Sequence, residues 1–176
     1  LNLPNTPVTD LKVHQANLIA STSGRSFWIL GDLSLVRQYM ADTTTIKIFE
    51  PAPTTLVNGS SELDGSNPNF DGTNPFRGVN PATGAVMYYY LPNVKPEDKV
   101  SLTIKDKNGN IVRTLSSEKD STFLGYEGGP PTEPTISKNK GLNRFVWNLR
   151  HTTMSGVPNV YIESSYRGHK AIPGRY

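Results

Sequence analysis

Hydrolysis of a glycosidic bond needs two carboxylates flanking the scissile bond at roughly 5 to 10 Å. The acids that invite that chemistry in this 176-residue chain are Asp10 and Asp32. Both lie at the ends of strand-like runs, where a carboxylate that caps loop amides is the commoner arrangement, so no catalytic residue is assigned. With no Cys and only His14, His151 and His169, the chain offers no thiol nucleophile, disulfide or zinc ribbon, and neither a metal site nor a cofactor is expected. Arg25, in the turn Ser23-Gly24-Arg25-Ser26, has the planar fork that binds a carboxylate or a sugar acid. A local salt bridge is its favoured competing role. Tyr88, Tyr89 and Tyr90 present ring faces of the kind that stack on sugars or on single-stranded nucleic acid. Alternation places Tyr88 and Tyr90 on one sheet face and Tyr89 in the core, which makes Tyr88 and Tyr90 the candidate carbohydrate contacts. Asp106-Lys107-Asn108-Gly109-Asn110 looks like a calcium loop, but Ser117 occupies the position of the bidentate Glu, and a hairpin turn is expected instead. Gly125 to Gly129 leads into Pro130-Pro131 with no helix after it, so it is a loop and not a phosphate cradle.

Those residues need elements to hold them. Val8 to Val13, Leu18 to Ser21 and Phe27 to Leu30 read as three strands of a meander. The run Phe27-Trp28-Ile29-Leu30 has no alternation, as in a strand buried on both faces. A short helix follows near Leu35, Val36 and Tyr39, with Asp32 or Ser34 as its cap. Residues 41–82 are rich in Pro, Gly, Asn, Ser and Thr and read as a linker, interrupted once by the strand-like Thr45 to Glu50. Period-two patterning returns at Ala85 to Leu91, Val100 to Ile104 and Ile111 to Leu115, the last two joined through Asn108-Gly109 in a tight primed turn. Gly141 to Leu149 forms another strand with Trp147 in the core, and Tyr161-Ile162 and Ala171 to Tyr176 read as further extended segments. The prediction is an all-β chain: residues 1–40 as one small sheet with a short helix, 41–82 as linker, and 83–176 as an antiparallel β-sandwich.

Net charge is +3. Seven basic residues against the single acid Glu163 fall between Lys138 and Tyr176, spaced along alternating segments, and a solvated strand face is expected rather than an anion or nucleic-acid site. No apolar run approaches the length of a membrane span.

Two motif sets carry a family resemblance. Leu3-Pro4, Pro7-Val8, Asp10-Leu11, Thr22, Gly24-Arg25-Ser26, Trp28-Ile29-Leu30 and Asp32 resemble the closing blade of the sortilin-like, BNR-repeat "glycosyl hydrolase" propeller proteins of Bacteroidota. Asn80-Pro81, Gly84-Ala85, Tyr89-Tyr90-Leu91, Asp106, Gly109, Val112-Arg113-Thr114, Gly141 to Phe145, Trp147, Leu149-Arg150, Ile172-Pro173-Gly174 and Tyr176 resemble the fibronectin-type or immunoglobulin-like sandwich that follows those propellers. A weaker likeness exists to the hook-capping flagellar β-domain. Ser23 and Gly31 depart from the blade pattern, where His and an acid are common, and no Asp-box occurs.

The resemblance implies that residues 1–40 are the last blade of a propeller, that both ends are truncations, and that the sandwich is a non-catalytic structural or interaction module of an exported protein. Its partners would be the remaining blades or another chain. Two alternatives stand beside it: an accessory part of a glycoside hydrolase whose carboxylates lie on other blades, and a carbohydrate-binding module. The implied lineage also makes Asp42-Thr43-Thr44 and Asp120-Ser121-Thr122 candidate O-glycosylation motifs, with Thr43 and Ser121 as acceptors.

Overall fold

Side chains that alternate across an extended backbone pair into ladders wherever turn residues let the chain reverse, and three small antiparallel sheets result. The computed structural model describes residues 3, 5–31, 33–39, 44–56, 82–158, 160, 162 and 164–176. Asp32, Thr43, most of the expected linker, Asn80-Pro81 and Tyr161 lie outside the described residues.

Strands β1 (Val8–His14), β2 (Asn17–Thr22) and β3 (Phe27–Leu30) form the first sheet in the order β1-β2-β3. His14 pairs with Asn17 across a two-residue turn in which Gln15 has φ 55°. The second reversal, at Ser23 to Ser26, is made by Gly24 at φ 75° and Ser26 at φ 64°. Helix α1 (Ser34–Gln38) is a single turn. Its N-cap residue is Leu33, which makes no side-chain cap hydrogen bond, so Ser34 is not the cap that the sequence predicts. The backbone N–H of Leu33 donates instead to the Ala16 carbonyl, tying the helix start to the first hairpin.

Strand β4 (Lys47–Ile48) falls on the strand-like interruption of the linker and pairs with β5 (Ala85–Leu91). β5 pairs along its length with β8 (Gly141–Trp147), giving the order β4-β5-β8. Between them in sequence, β6 (Ser101–Lys105) and β7 (Ile111–Ser116) make a separate hairpin. Its loop is wider than the expected two-residue turn. Only Gly109 has positive φ, at 85°, and the Asp106 carboxylate accepts the amides of Asn108 and Asn110, which stabilises a five-residue loop beside a register shift at Ile104/Lys105.

The core lies between the last two sheets. Ala85, Ile104, Val112 and Trp147 form one buried cluster, and Tyr89, Leu91, Leu115 and Ile136 form the other, with Phe145 packed on both. Residues after Trp147 do not form the further strands expected from Ala171 to Tyr176. Among the described residues they contribute one isolated bridge, Arg150 to Lys170. No helix among the described residues is long and apolar enough to cross a membrane.

Candidate functional site

The register of the first sheet sorts its side chains. Leu11 faces Ala20 and Trp28, and Val13 faces Leu18 and Leu30, so these six side chains make one face apolar up to Thr22 at its end. The other face is mixed: Ile19 lies beside Ile29 and Lys12, Ser21 beside Phe27 and Asp10, and Asn17 beside His14. Neither face is closed. Leu11 and Val13 are 59% and 53% exposed on the first, and Phe27 and Ile29 are 75% and 67% exposed on the second. The expectation that β3 is buried on both faces is therefore corrected: Trp28 and Leu30 on one side are half-buried, and Phe27 and Ile29 on the other are exposed. β1 and β3 are also the edge strands of this sheet. Apolar side chains thus stand exposed on both faces, among polar ones on the second.

The sequence-selected residues are distributed over separate elements. Arg25 is exposed at the tip of the β2–β3 turn. Its carbonyl accepts from the Trp28 indole N–H at 2.8 Å, and its side chain has no ion-pair partner among the described residues. Asp10 lies within β1, not at a loop, and accepts a hydrogen bond from the adjacent amide of Leu11 at 2.8 Å. Tyr88 and Tyr90 share one face of β5, opposite Arg144 and Leu142 of β8, and both are half-buried. Tyr89 points the other way into the core, where its hydroxyl donates to the Ser137 carbonyl at 2.5 Å. Ser121 is exposed in a turn whose preceding Asp120 accepts from both the amide and the hydroxyl of Thr122. Those two hydrogen bonds hold the Asp120 carboxyl below the usual carboxylate range. In the Asp106 loop, the Asn110 side chain leads the hydrogen bonds that lower the Asp106 carboxyl. Both of its oxygens are turned inward on the hairpin, as a structural turn requires.

One polar group was missed. Arg113 is buried, with Nε and Nη2 donating to Glu133 Oε2 at 2.9 and 2.6 Å and Nη1 to Asn148 Oδ1 at 2.9 Å. Glu133 Oε1 accepts the Thr153 amide at 2.6 Å. Burial pushes the Glu133 carboxyl up, but the hydrogen bonds from Thr153 and Arg113, with the Arg113 charge, outweigh it and leave the group below its ordinary value. Strict alternation along Ile111 to Leu115 cannot place both Val112 and Arg113 inside. The register shift between Ile104 and Lys105 does, and no sequence pattern marks it.

This network forms one side of a groove of about 410 Å³ between the 116–134 loop and residues 152–155, walled by Phe123, Pro130, Pro134 and Met154 and bordered by Asp120. Its lining combines apolar walls with hydroxyls and the carboxylates of Glu118, Asp120 and Glu133. No cluster of three or more His, Asp or Glu that could hold a metal ion occurs among the described residues. Comparison with protein-family models, with curated proteins and with solved structures found no match.

Proposed function

We propose that the chain is a non-catalytic structural or interaction module, and that the β1–β3 sheet is one blade of a larger β-assembly of the sortilin-like propeller type in an exported protein. The observation that carries this reading is the sheet with apolar side chains uncovered on both faces. A sheet at the surface of a domain has one dry face. A blade in a ring of sheets has two, because a neighbouring blade packs on each side. Burying Leu11, Val13, Phe27 and Ile29 would contribute roughly 1.5 to 3 kcal/mol for each side chain, enough to hold the sheet against its neighbours. The β5–β8 and β6–β7 layers, with their two shared clusters, support reading the remainder as a fibronectin-like sandwich that props or spaces the blade. In this reading the parent's activity, glycoside hydrolysis included, resides outside residues 1–176.

The test is the behaviour of the 176-residue chain alone. It is expected to self-associate by light scattering and to bind an apolar dye, and the quadruple variant Leu11→Ser, Val13→Thr, Phe27→Ser, Ile29→Thr is expected to lose both properties. A wild-type chain that is monomeric and dye-silent would overturn the proposal.

A second reading, carbohydrate contact, is favoured by the placement of Arg144 beside Tyr88 on one face of the β5–β8 pair. Its test is glycan binding that is lost in Tyr88→Ala and Tyr90→Ala; binding that survives both substitutions counts against that face.

A further inference from the structure

β8 is an edge strand of the β4-β5-β8 sheet, paired with β5. In a strand the N–H and C=O of one residue point to the same side, and successive residues alternate. The Tyr88 carbonyl accepts from the Phe49 amide at 3.0 Å, so Val86, Tyr88 and Tyr90 turn their backbone groups toward β4. Ala85, Met87, Tyr89 and Leu91 therefore turn theirs toward β8, where they meet Trp147, Phe145, Asn143 and Gly141. The N–H and C=O groups of Leu142, Arg144 and Val146 are left pointing out of the sheet. No backbone hydrogen bond among the described residues uses them.

This edge is held in shape by its inner face. The Asn143 side chain is buried, its Oδ1 accepting from Ser137 Oγ at 2.7 Å and from the Asn139 amide at 3.0 Å. Its Nδ2 donates to the carbonyls of Asn139 and Gly141, and Phe145 packs on both core clusters. A strand so fixed pays little ordering cost when another strand joins it. On the outer face Leu142 and Arg144 are exposed and Val146 is half-buried, opposite Tyr90, Tyr88 and Val86. Strands β4, β5 and β8 carry two cations, Lys47 and Arg144, and no acid. Lys47 Nζ donates to the Gln38 carbonyl, and Arg144 stands in the middle of the outward-pointing row.

We propose that the β8 edge receives an extended segment of another protein, with an acidic residue opposite Arg144 and apolar residues opposite Leu142 and Val146. Backbone hydrogen bonds to the outward groups supply the affinity, and the charge at Arg144 selects the segment. A second copy of this chain fits the edge poorly. The antiparallel register that pairs all three outward residues sets Leu142 against Val146 and Arg144 against its own counterpart, and like charges directly opposite are destabilising. The edge lies in the β5–β8 layer, so the proposal does not depend on how the β1–β3 sheet packs.

The experiment measures amide exchange at residues 142–146 of the full chain with the synthetic peptide SVVETVS, whose Glu falls opposite Arg144 in antiparallel register. The peptide SVVKTVS is the control. At about ten times its dissociation constant the acidic peptide is expected to slow the Leu142, Arg144 and Val146 amides about tenfold. Asn143 and Phe145, whose amides already face β5, are expected to stay unchanged, and the control peptide to slow none. Arg144→Glu keeps every backbone donor and is expected to exchange the preference between the two peptides. Val146→Pro removes one outward N–H without breaking a bond to β5, and is expected to weaken the acidic peptide roughly tenfold. Equal slowing by both peptides, or slowing by neither at any concentration, would overturn the proposal. So would outward amides that exchange as slowly as Phe145 before peptide is added, since a second copy or another segment of this chain would then already hold the edge.

Discussion

At the scale of single residues, the Arg113–Glu133 pair shows how a buried charge is made tolerable. Arg113 sends three N–H groups to Glu133 and Asn148, and Glu133 returns to the Thr153 amide, so one ion pair ties β7, the 116–140 loop and the stretch after β8 together. Removing one partner leaves the other charge uncompensated, and Glu133→Ala is expected to cost about 3 to 5 kcal/mol by urea denaturation. Because the folded-state pKa of Glu133 is depressed, its contribution is present above the unfolded value near 4.5 and is lost as pH falls through the folded value. Glu133→Gln should therefore flatten the acid limb of the stability profile, and a profile as steep as the wild type's would contradict that assignment. Leu115, at 1% exposure, should lose about 2 to 5 kcal/mol on truncation to Ala.

At the scale of elements, Gly109→Ala in the β6–β7 loop is expected to cost about 1 kcal/mol, measured by the same denaturation. Its backbone sits at φ 85°, and no neighbouring atom would meet the new methyl group, so the cost is conformational. The strands were the legible part of this sequence. Val8 to Val13, Phe27 to Leu30, Ala85 to Leu91 and Ile111 to Leu115 all announce themselves by alternation or by β-rich composition, and all are strands. Tyr88 and Tyr90 lie on one face with Tyr89 behind them, as period two requires. What could not be read depends on departures from period or on contacts distant in sequence. Val112 is turned inward beside Arg113 by a register shift, and the Asp106 side chain bonds across a loop that Asn-Gly alone would close in two residues. Apolar residues in β3 announced burial that, among the described residues, reaches only Trp28 and Leu30, and that only in part, since apolarity records the need for cover and not its source. The His151 and His169 rings stack with centroids 3.7 Å apart, joining positions eighteen residues apart beside a bridge too short to leave a periodic trace.

At the scale of the whole molecule, the contrast between its two parts carries the account. The β5–β8 and β6–β7 sheets share two buried clusters and close on each other, whereas the β1–β3 sheet leaves Leu11, Val13, Phe27 and Ile29 open on opposite faces. Exposed apolar side chains on both sides of a sheet are the feature on which the proposed packed blade rests. Hydroxyl-radical footprinting of the protein isolated from its natural source tests this most directly, with Leu124, 87% exposed, and Leu115, 1% exposed, as internal standards. The account predicts that Leu11, Val13, Phe27 and Ile29 are oxidised at rates near that of Leu115. Rates near that of Leu124 would show the sheet bare in the native protein and contradict its role as a packed blade.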